Sequence, residues 1–395
     1  MTNSPNLHAA GAHRGCEADQ PARRGSGSSP CGAATIAPLN VPLGNPEPRG
    51  YNRKGERGGS DLATPFEARA AIYKQLEELR SSRVVALVLG DRQGMQTQIA
   101  NDCVDLVGDH LDAIFPSKKI SLLLYTIGGN TMAAWNLVNM LRMFCDELEI
   151  IVPARARSAG TLMCLGADKL LMTKQATLGP IDPSLNGPLN PQIPGAAPDS
   201  RASVSVEAVR GYIEMAKQDL GIKGSRDMAE VLNNLSSKVH PLVLGSIFRS
   251  RSQIQSLARE LLKMQVKDAT KTKKIIDFLT SESGSHDYTI NRREARQLGL
   301  NVEIPSQALY DLLKEWLLTL REELQLNLAF DPHAVLGAEA SAKYSCTRGL
   351  IESTAFPGQI FVSEGELKRV QMIHPQLGQQ EAVNDTRLFE GWRTR

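Results

Sequence analysis

The sequence carries almost no surplus charge: 45 Lys and Arg stand against 43 Asp and Glu, a formal net charge of only +2. Nothing in that balance calls for a nucleic-acid or membrane-surface partner. Long hydrophobic runs are missing too. The longest, around 84–89 and 120–125, fall far short of the ~20 residues a membrane-spanning helix needs. The N-terminus lacks the charged-then-apolar order of a secretory signal. The six cysteines, at 16, 31, 103, 145, 164 and 346, show no metal-ligand spacing. Cys103, Cys145 and Cys164 sit in apolar helical patterns and read as buried free thiols, which fits a reduced, cytoplasmic setting.

What is present is a core-forming chain of 395 residues, 42% hydrophobic, enough for one large domain or two ordinary ones. Residues 1–60 are rich in Gly, Pro, Ser, Asn and Arg and read as a disordered extension. Order begins at Thr64-Pro65-Phe66-Glu67, a capping-box pattern with proline at the first helical position. A helix to about residue 81 and a buried strand at 83–89 follow. Ile99, Cys103, Val107, Leu111 and Ile114 recur at helical spacing. Strands alternating with helices predict an α/β fold with a largely parallel sheet.

From 183 to 205, five prolines interrupt regular structure, so this stretch reads as a mobile lid or as a surface insertion. A helical region follows over 206–220, 225–235 and 241–267, the last with one apolar face. Lys267, Lys271, Lys273 and Lys274 read as a solvated helix face. Residues 286–300 predict a short strand, a cap at Asn291 and a helix ended by Gly299. Another helix covers 305–326. The tail, 326–395, shows two short strands near Leu350 and Ile360 and then polar sequence without clear pattern. The expected division is thus 1–60, a domain at 61–325, and a C-terminal extension.

The chemistry concentrates in 120–178. A strand at 120–125 runs into Thr126-Ile127-Gly128-Gly129-Asn130 and a helix from Thr131. A second strand ends in Ala154-Arg155-Ala156-Arg157-Ser158-Ala159-Gly160. A serine needs a base for its proton and donors for the oxyanion it creates. Ser158 stands at a helix start, and the Gly128-Gly129 turn lets backbone N–H groups approach a substrate. Either feature alone is equally an ordinary turn or cap. Their place at the ends of successive parallel strands favours a ligand site.

These segments, with Leu178-Gly179-Pro180-Ile181-Asp182-Pro183, resemble the Clp/crotonase superfamily. More narrowly, they are similar to the serine dehydrogenase proteinase family, Clp-fold serine proteinases related to bacterial signal peptide peptidase. Lys238-Val239-His240-Pro241 and Ser285-His286-Asp287-Tyr288-Thr289-Ile290, followed by Glu294-Ala295 and Leu298-Gly299-Leu300, support the narrower match. The resemblance spans about 64–320. It implies repeated ββα units with a helical C-terminal region and a homo-oligomer acting on protein or peptide substrates. It implies no metal or organic cofactor. Some relatives act near membrane proteins.

The resemblance places the nucleophile at Ser158 and the oxyanion donors at Gly128, Gly129 and Ala159. Its base is less direct. Clp peptidase subunits carry a histidine where this chain reads Gly179-Pro180-Ile181-Asp182. Signal peptide peptidases use a lysine before a long helix, and Lys238, 80 residues after Ser158, holds the comparable place. A buried lysine can lose its proton and act as base. His240 and His286 are alternatives, and Asp182 either orients a base or stabilises a turn. The expected activity is a serine endopeptidase with a Ser-Lys dyad. The rivals are a crotonase-type acyl-CoA hydratase or isomerase and an inactive Clp-fold assembly module.

Overall fold

The chain enters its first helix through the expected signal. The Thr64 hydroxyl accepts from the Glu67 N–H at 3.3 Å, and the Glu67 carboxylate accepts from the Thr64 N–H at 2.7 Å. Helix α1 (Pro65–Arg80) follows, then strand β1 (Arg83–Leu89). The computed structural model describes residues 64–181, 184–185, 187–195, 199–282, 287–374 and 378–395. The extension at 1–60 that reads as disordered lies outside them, as do Asp182 and His286.

Strands and helices then alternate as the periodicity predicts: α2 (Asp102–Ile114), β2 (Lys119–Tyr125), α3 (Thr131–Met143) and β3 (Glu147–Val152). The next stretch is β4 (Arg155–Ala156), α4 (Ala159–Leu165), β5 (Lys169–Met172) and β6 (Thr177–Leu178). The proline-rich segment holds β7 (Ser184–Leu185) and β8 (Val204–Ser205), paired antiparallel into a small hairpin. Helices α5 (Val206–Glu214), α6 (Ser225–Lys238), α7 (Pro241–Leu262) and α8 (Ala269–Asp277) form the helical region. Single π-helical turns at Met215–Asp219 and Phe278–Glu282 extend α5 and α8. Strand β9 (Ile290–Asn291) leads into α9 (Arg292–Leu298), capped by the Asn291 side chain and closed by Gly299 at φ +104°. Then come β10 (Val302–Glu303), α10 (Gln307–Glu323) and α11 (Pro332–Leu336).

The tail departs from expectation. In place of two short strands it forms β11 (Ser341–Ser353), β12 (Gln359–His374) and β13 (Gly378–Thr394), of 13, 16 and 17 residues. Much of their surface faces water, so they carry little of the apolar alternation by which strands are read. They continue the main sheet, whose order is β10-β5-β3-β2-β1-β11-β12-β13. The first five strands are parallel, and β11 to β13 join antiparallel to β1 and to one another. Residues 61–395 form one compact unit.

Strand β1 is buried on both faces and sorts the core by its period of two. Val85, Leu87 and Leu89 pack on the side of α2, α3 and α4, while Val84, Ala86 and Val88 pack on the side of α1 and α10. Each fully buried aliphatic side chain of this size contributes roughly 1.5–3 kcal/mol. The charges that enter the second layer are paired. Arg69 donates from Nε and Nη2 to Glu352 at 2.8 and 2.7 Å, and the Tyr73 hydroxyl donates to the same carboxylate at 2.6 Å. Glu149, also buried, accepts from Arg80 and from the Ser121 hydroxyl. The parallel arrangement sends the ends of β2 and β3 to one rim of the sheet, where the Gly-Gly turn and Ser158 follow.

Candidate active site

The two segments are locked in register before either reaches its functional residues. Thr126, just past β2, bridges Ala156 in β4: the Thr126 N–H donates to the Arg155 carbonyl and the Arg157 N–H to the Thr126 carbonyl, both at 3.1 Å. On the other side, the Gly128 carbonyl accepts from the Ile99 N–H and the Asn130 N–H donates to the Ile99 carbonyl, both at 2.8 Å. Asn130 itself caps α3, accepting from Met132 and Ala133. The turn is therefore clamped between the chain before α2 and the chain after β3.

That clamp presses Gly128 against Ser158. A Cβ on Gly128 would lie 2.7 Å from the Ser158 Cβ, 3.0 Å from the Arg157 carbonyl oxygen and 3.2 Å from the Ser158 Oγ. Its φ of +115° is also one that side-chain-bearing residues rarely adopt. The glycine turn therefore faces Ser158 directly. Ser158 is itself held at φ +50° and ψ −116°, with α4 starting at the next residue. A non-glycine residue there costs on the order of 1–3 kcal/mol and persists only where its surroundings impose it. Here they do: the Leu162 N–H donates to the Ser158 carbonyl at 3.0 Å and the Gly160 N–H to the Arg157 carbonyl at 2.8 Å. A Cβ on Gly160 would come within 2.5 Å of the Thr126 methyl, so that contact too is sequence-specific.

The donors divide unequally. The Gly128 N–H is already engaged, donating to the Thr126 hydroxyl at 3.0 Å. Gly128 therefore supplies closeness rather than the oxyanion donor expected of it. The Gly129 and Ala159 N–H groups donate to no acceptor among the described residues. A third wall comes from β6, which pairs with β4 through Arg155–Thr177 and Ala156–Leu178. Buried Thr161 ties the two together, lying 2.8 Å from the Ala156 carbonyl and 2.9 Å from that of Gly179 and accepting from the Gly179 N–H at 3.0 Å. Thr126 and Thr161 escaped the sequence reading. Their only signal is adjacency to Ile127-Gly128-Gly129 and to Ser158-Ala159-Gly160.

Neighbouring charges are structural. Arg155 pairs with Asp91 and lies over the Tyr125 ring, whose hydroxyl donates to Asp91 at 2.7 Å. Burial, with the Asp91 charge next to it, pushes the Tyr125 hydroxyl well above its usual value. The described cysteines are free; Cys103, Cys164 and Cys346 are buried, Cys145 half-buried, and burial pushes the Cys103 thiol up to about 12.

The base is where structure and expectation part. Lys238 ends α6 and is exposed, without a hydrogen bond or ion pair among the described residues, not buried as a lysine base requires. It precedes α7, whose Gln253 donates to the Met132 sulfur beside the glycine turn. Residues 241 to 253 climb about 18 Å at 1.5 Å each, so Lys238 stands well out along that helix. His240 is exposed as well, its Nδ1 accepting from the Leu242 N–H as a helix cap at 3.2 Å. No described residue hydrogen-bonds the Ser158 hydroxyl. Among the described residues no group of three His, Cys, Asp or Glu side chains could hold a metal ion. None of the described helices is long and apolar enough to cross a membrane.

Residues 62–198 match ClpP-like SDH-type serine proteinases. Uncharacterized protein MJ0137 of Methanocaldococcus jannaschii is 31% identical over 186 residues, which cover 47% of this chain and 54% of that protein. Uncharacterized protein MJ1495 of the same organism is 29% identical over 256 residues, covering 62% and 75%. The match thus spans about half the length of the first relative. A mutant of the 1510-N membrane-bound stomatin-specific protease superposes with a TM-score of 0.34 at 16% identity over 55% of this chain and 79% of that one, too loosely to carry an argument. The stretch that matches the ClpP-like SDH-type serine proteinases, residues 62–198, is the one that bears Gly128, Gly129 and Ser158.

Proposed function

We propose that the protein is a serine peptidase that cleaves peptide bonds by acyl transfer through Ser158. One observation carries the reading: Gly128 closes on a strained Ser158 while the Gly129 and Ala159 N–H groups stay unengaged. The Ser158 Oγ attacks the scissile carbonyl carbon and a base takes its proton. The carbonyl oxygen becomes an oxyanion that accepts from the Gly129 and Ala159 N–H groups, each such donor being worth about 10²–10³ in rate. The tetrahedral species collapses, the base returns the proton to the departing amine, and water then releases the acyl group. Lys238 serves as the base once the arm formed by α6 and the start of α7, or a neighbouring copy of the chain, closes over Ser158 and desolvates it. The same exposed Lys238 favours one other reading, a Clp-fold module that retains the site without catalysis.

A fluorophosphonate probe separates these. Wild type labels, Ser158→Ala does not, and Lys238→Ala labels about 10²-fold more slowly or worse. Labelling that survives Ser158→Ala sinks the nucleophile. Labelling indifferent to Lys238→Ala removes the dyad. A wild type that never labels favours the non-catalytic module.

A further inference from the structure

The helix that follows β9 carries a charge pattern that its own stability does not explain. Helix α9 places Arg292 and Arg293 in its first turn, where the backbone dipole disfavours cations, and Arg296 one turn on. Like charges at such spacings repel. Two acidic residues close to them in sequence are engaged elsewhere. Glu294 accepts from the Tyr288 hydroxyl at 2.6 Å. Glu303 is held by Arg80 at 2.8 Å and by Lys169 at 3.3 Å. Among the described residues Arg292 donates to the Met172 carbonyl alone, at 3.3 Å, and Arg293 and Arg296 make no ion pair. The three arginines instead line an open groove of about 520 Å³, with Gln297 and the half-exposed Ile304.

We propose that this groove binds an acidic stretch of polypeptide. Guanidinium forks match carboxylates two bonds at a time, Gln297 offers an amide to a peptide backbone, and Ile304 gives an apolar floor. Its place in the fold supplies the polypeptide. Strand β9 is joined through β6 to β4, the strand that delivers Ser158. At ~4.8 Å per strand and ~3.3 Å per residue, the groove lies roughly 15–20 Å from Ser158, within reach of a chain of about six residues. The groove is thus a docking site for the acidic flank of a substrate, which rests on the peptidase reading.

Binding is measured apart from turnover, by fluorescence anisotropy on full-length Ser158→Ala. The probes are a labelled decapeptide rich in Asp and Glu and its Asn/Gln counterpart. The acidic peptide binds about tenfold tighter or better, and the preference weakens with salt. Arg293→Gln/Arg296→Gln removes the preference while fluorophosphonate labelling of the otherwise wild-type protein stays unchanged. The single variants, each reducing the preference, guard against a folding defect in the double one. Equal binding of the two peptides, or a preference untouched by these variants, overturns the docking site whether or not Ser158 labels. Tighter binding of inorganic pyrophosphate or of a single-stranded RNA oligonucleotide, competing the peptide away, overturns the polypeptide assignment. Absent labelling with an intact acidic preference instead sinks the peptidase reading and, with it, the substrate as the source of the peptide.

Discussion

Replacing Gly128 by alanine tests the site at its tightest point. The added methyl would meet the Ser158 Cβ at 2.7 Å, the Arg157 carbonyl oxygen at 3.0 Å and the Ser158 Oγ at 3.2 Å. None of these is the far end of a flexible side chain. The turn cannot retreat easily, because Ile99 holds it on its other side through two backbone hydrogen bonds of 2.8 Å. Overpacking of this kind costs about 1–3 kcal/mol, and a side chain at φ +115° adds on the order of 1–2 kcal/mol. Gly128→Ala should therefore lose about 2–5 kcal/mol in urea denaturation. Ser158 is the group pushed aside, and a displacement near 1 Å costs about 10²-fold in rate, read here as fluorophosphonate labelling. Gly245→Ala is the control. That glycine lies in α7 with nothing within 4 Å of an added Cβ, so the variant gains up to about 1 kcal/mol of helix propensity and labels normally. Wild-type labelling by Gly128→Ala would refute the claim that this turn sets the position of Ser158.

Three further outcomes follow from buried groups. Glu352→Ala leaves the fully buried Arg69 guanidinium with Glu323, at 2.7 Å, as its remaining carboxylate and should cost up to about 3–5 kcal/mol in chemical denaturation; a loss below 1 kcal/mol, at the level of an exposed pair, would count against that network. Trp316→Ala empties the largest side-chain volume of the α1–α10 layer and removes the indole that donates to the Tyr73 hydroxyl at 3.1 Å, a loss of about 3–5 kcal/mol by the same assay. His110, buried beside Ser353, is pushed down from 6.5 to about 4, because desolvation outweighs the pull of Asp109 and Glu352. The unfolded chain takes up this proton first, so the stability is present in full above pH 6.5 and is lost as the pH falls toward 4, in all on the order of 3 kcal/mol. Denaturation midpoints of wild type and His110→Gln should converge over that window, and parallel curves would contradict it.

The sequence discloses the fold where local pattern and burial agree. Arg83-Val84-Val85-Ala86-Leu87-Val88-Leu89 reads as a strand because both of its faces are covered, and Thr64 and Asn291 announce their helices through side chains that cap them. It is silent where structure depends on distant partners. Strand β13 is largely exposed and strongly charged, and it is a strand because β12 pairs along its length. At the site, the sequence names the turn and the serine but not their division of labour. That the Gly128 N–H is taken by Thr126 while that of Gly129 is not depends on the path of one turn. The positive φ of Ser158 is likewise hidden, since no glycine stands there to signal it. Lys238 is singled out by its resemblance to a lysine that stands before a long helix, and such a place in the chain does not report whether a helix end is buried.

Strand β1 sits between a neighbour translated soon after it and one translated much later. Its parallel partner, β2, is complete by residue 125, but its antiparallel partner pairs through residues 349–353. At ~5–20 residues per second a ribosome needs on the order of 10–50 s to cover that gap. Throughout it, a nascent chain holds an apolar strand with one edge open and an arginine, Arg69, whose chief carboxylate has not been made. The sheet around the ClpP-like segment is thus completed by the pairing of residues 85–89 with residues 349–353. A chaperone that shields β1 would act in that interval.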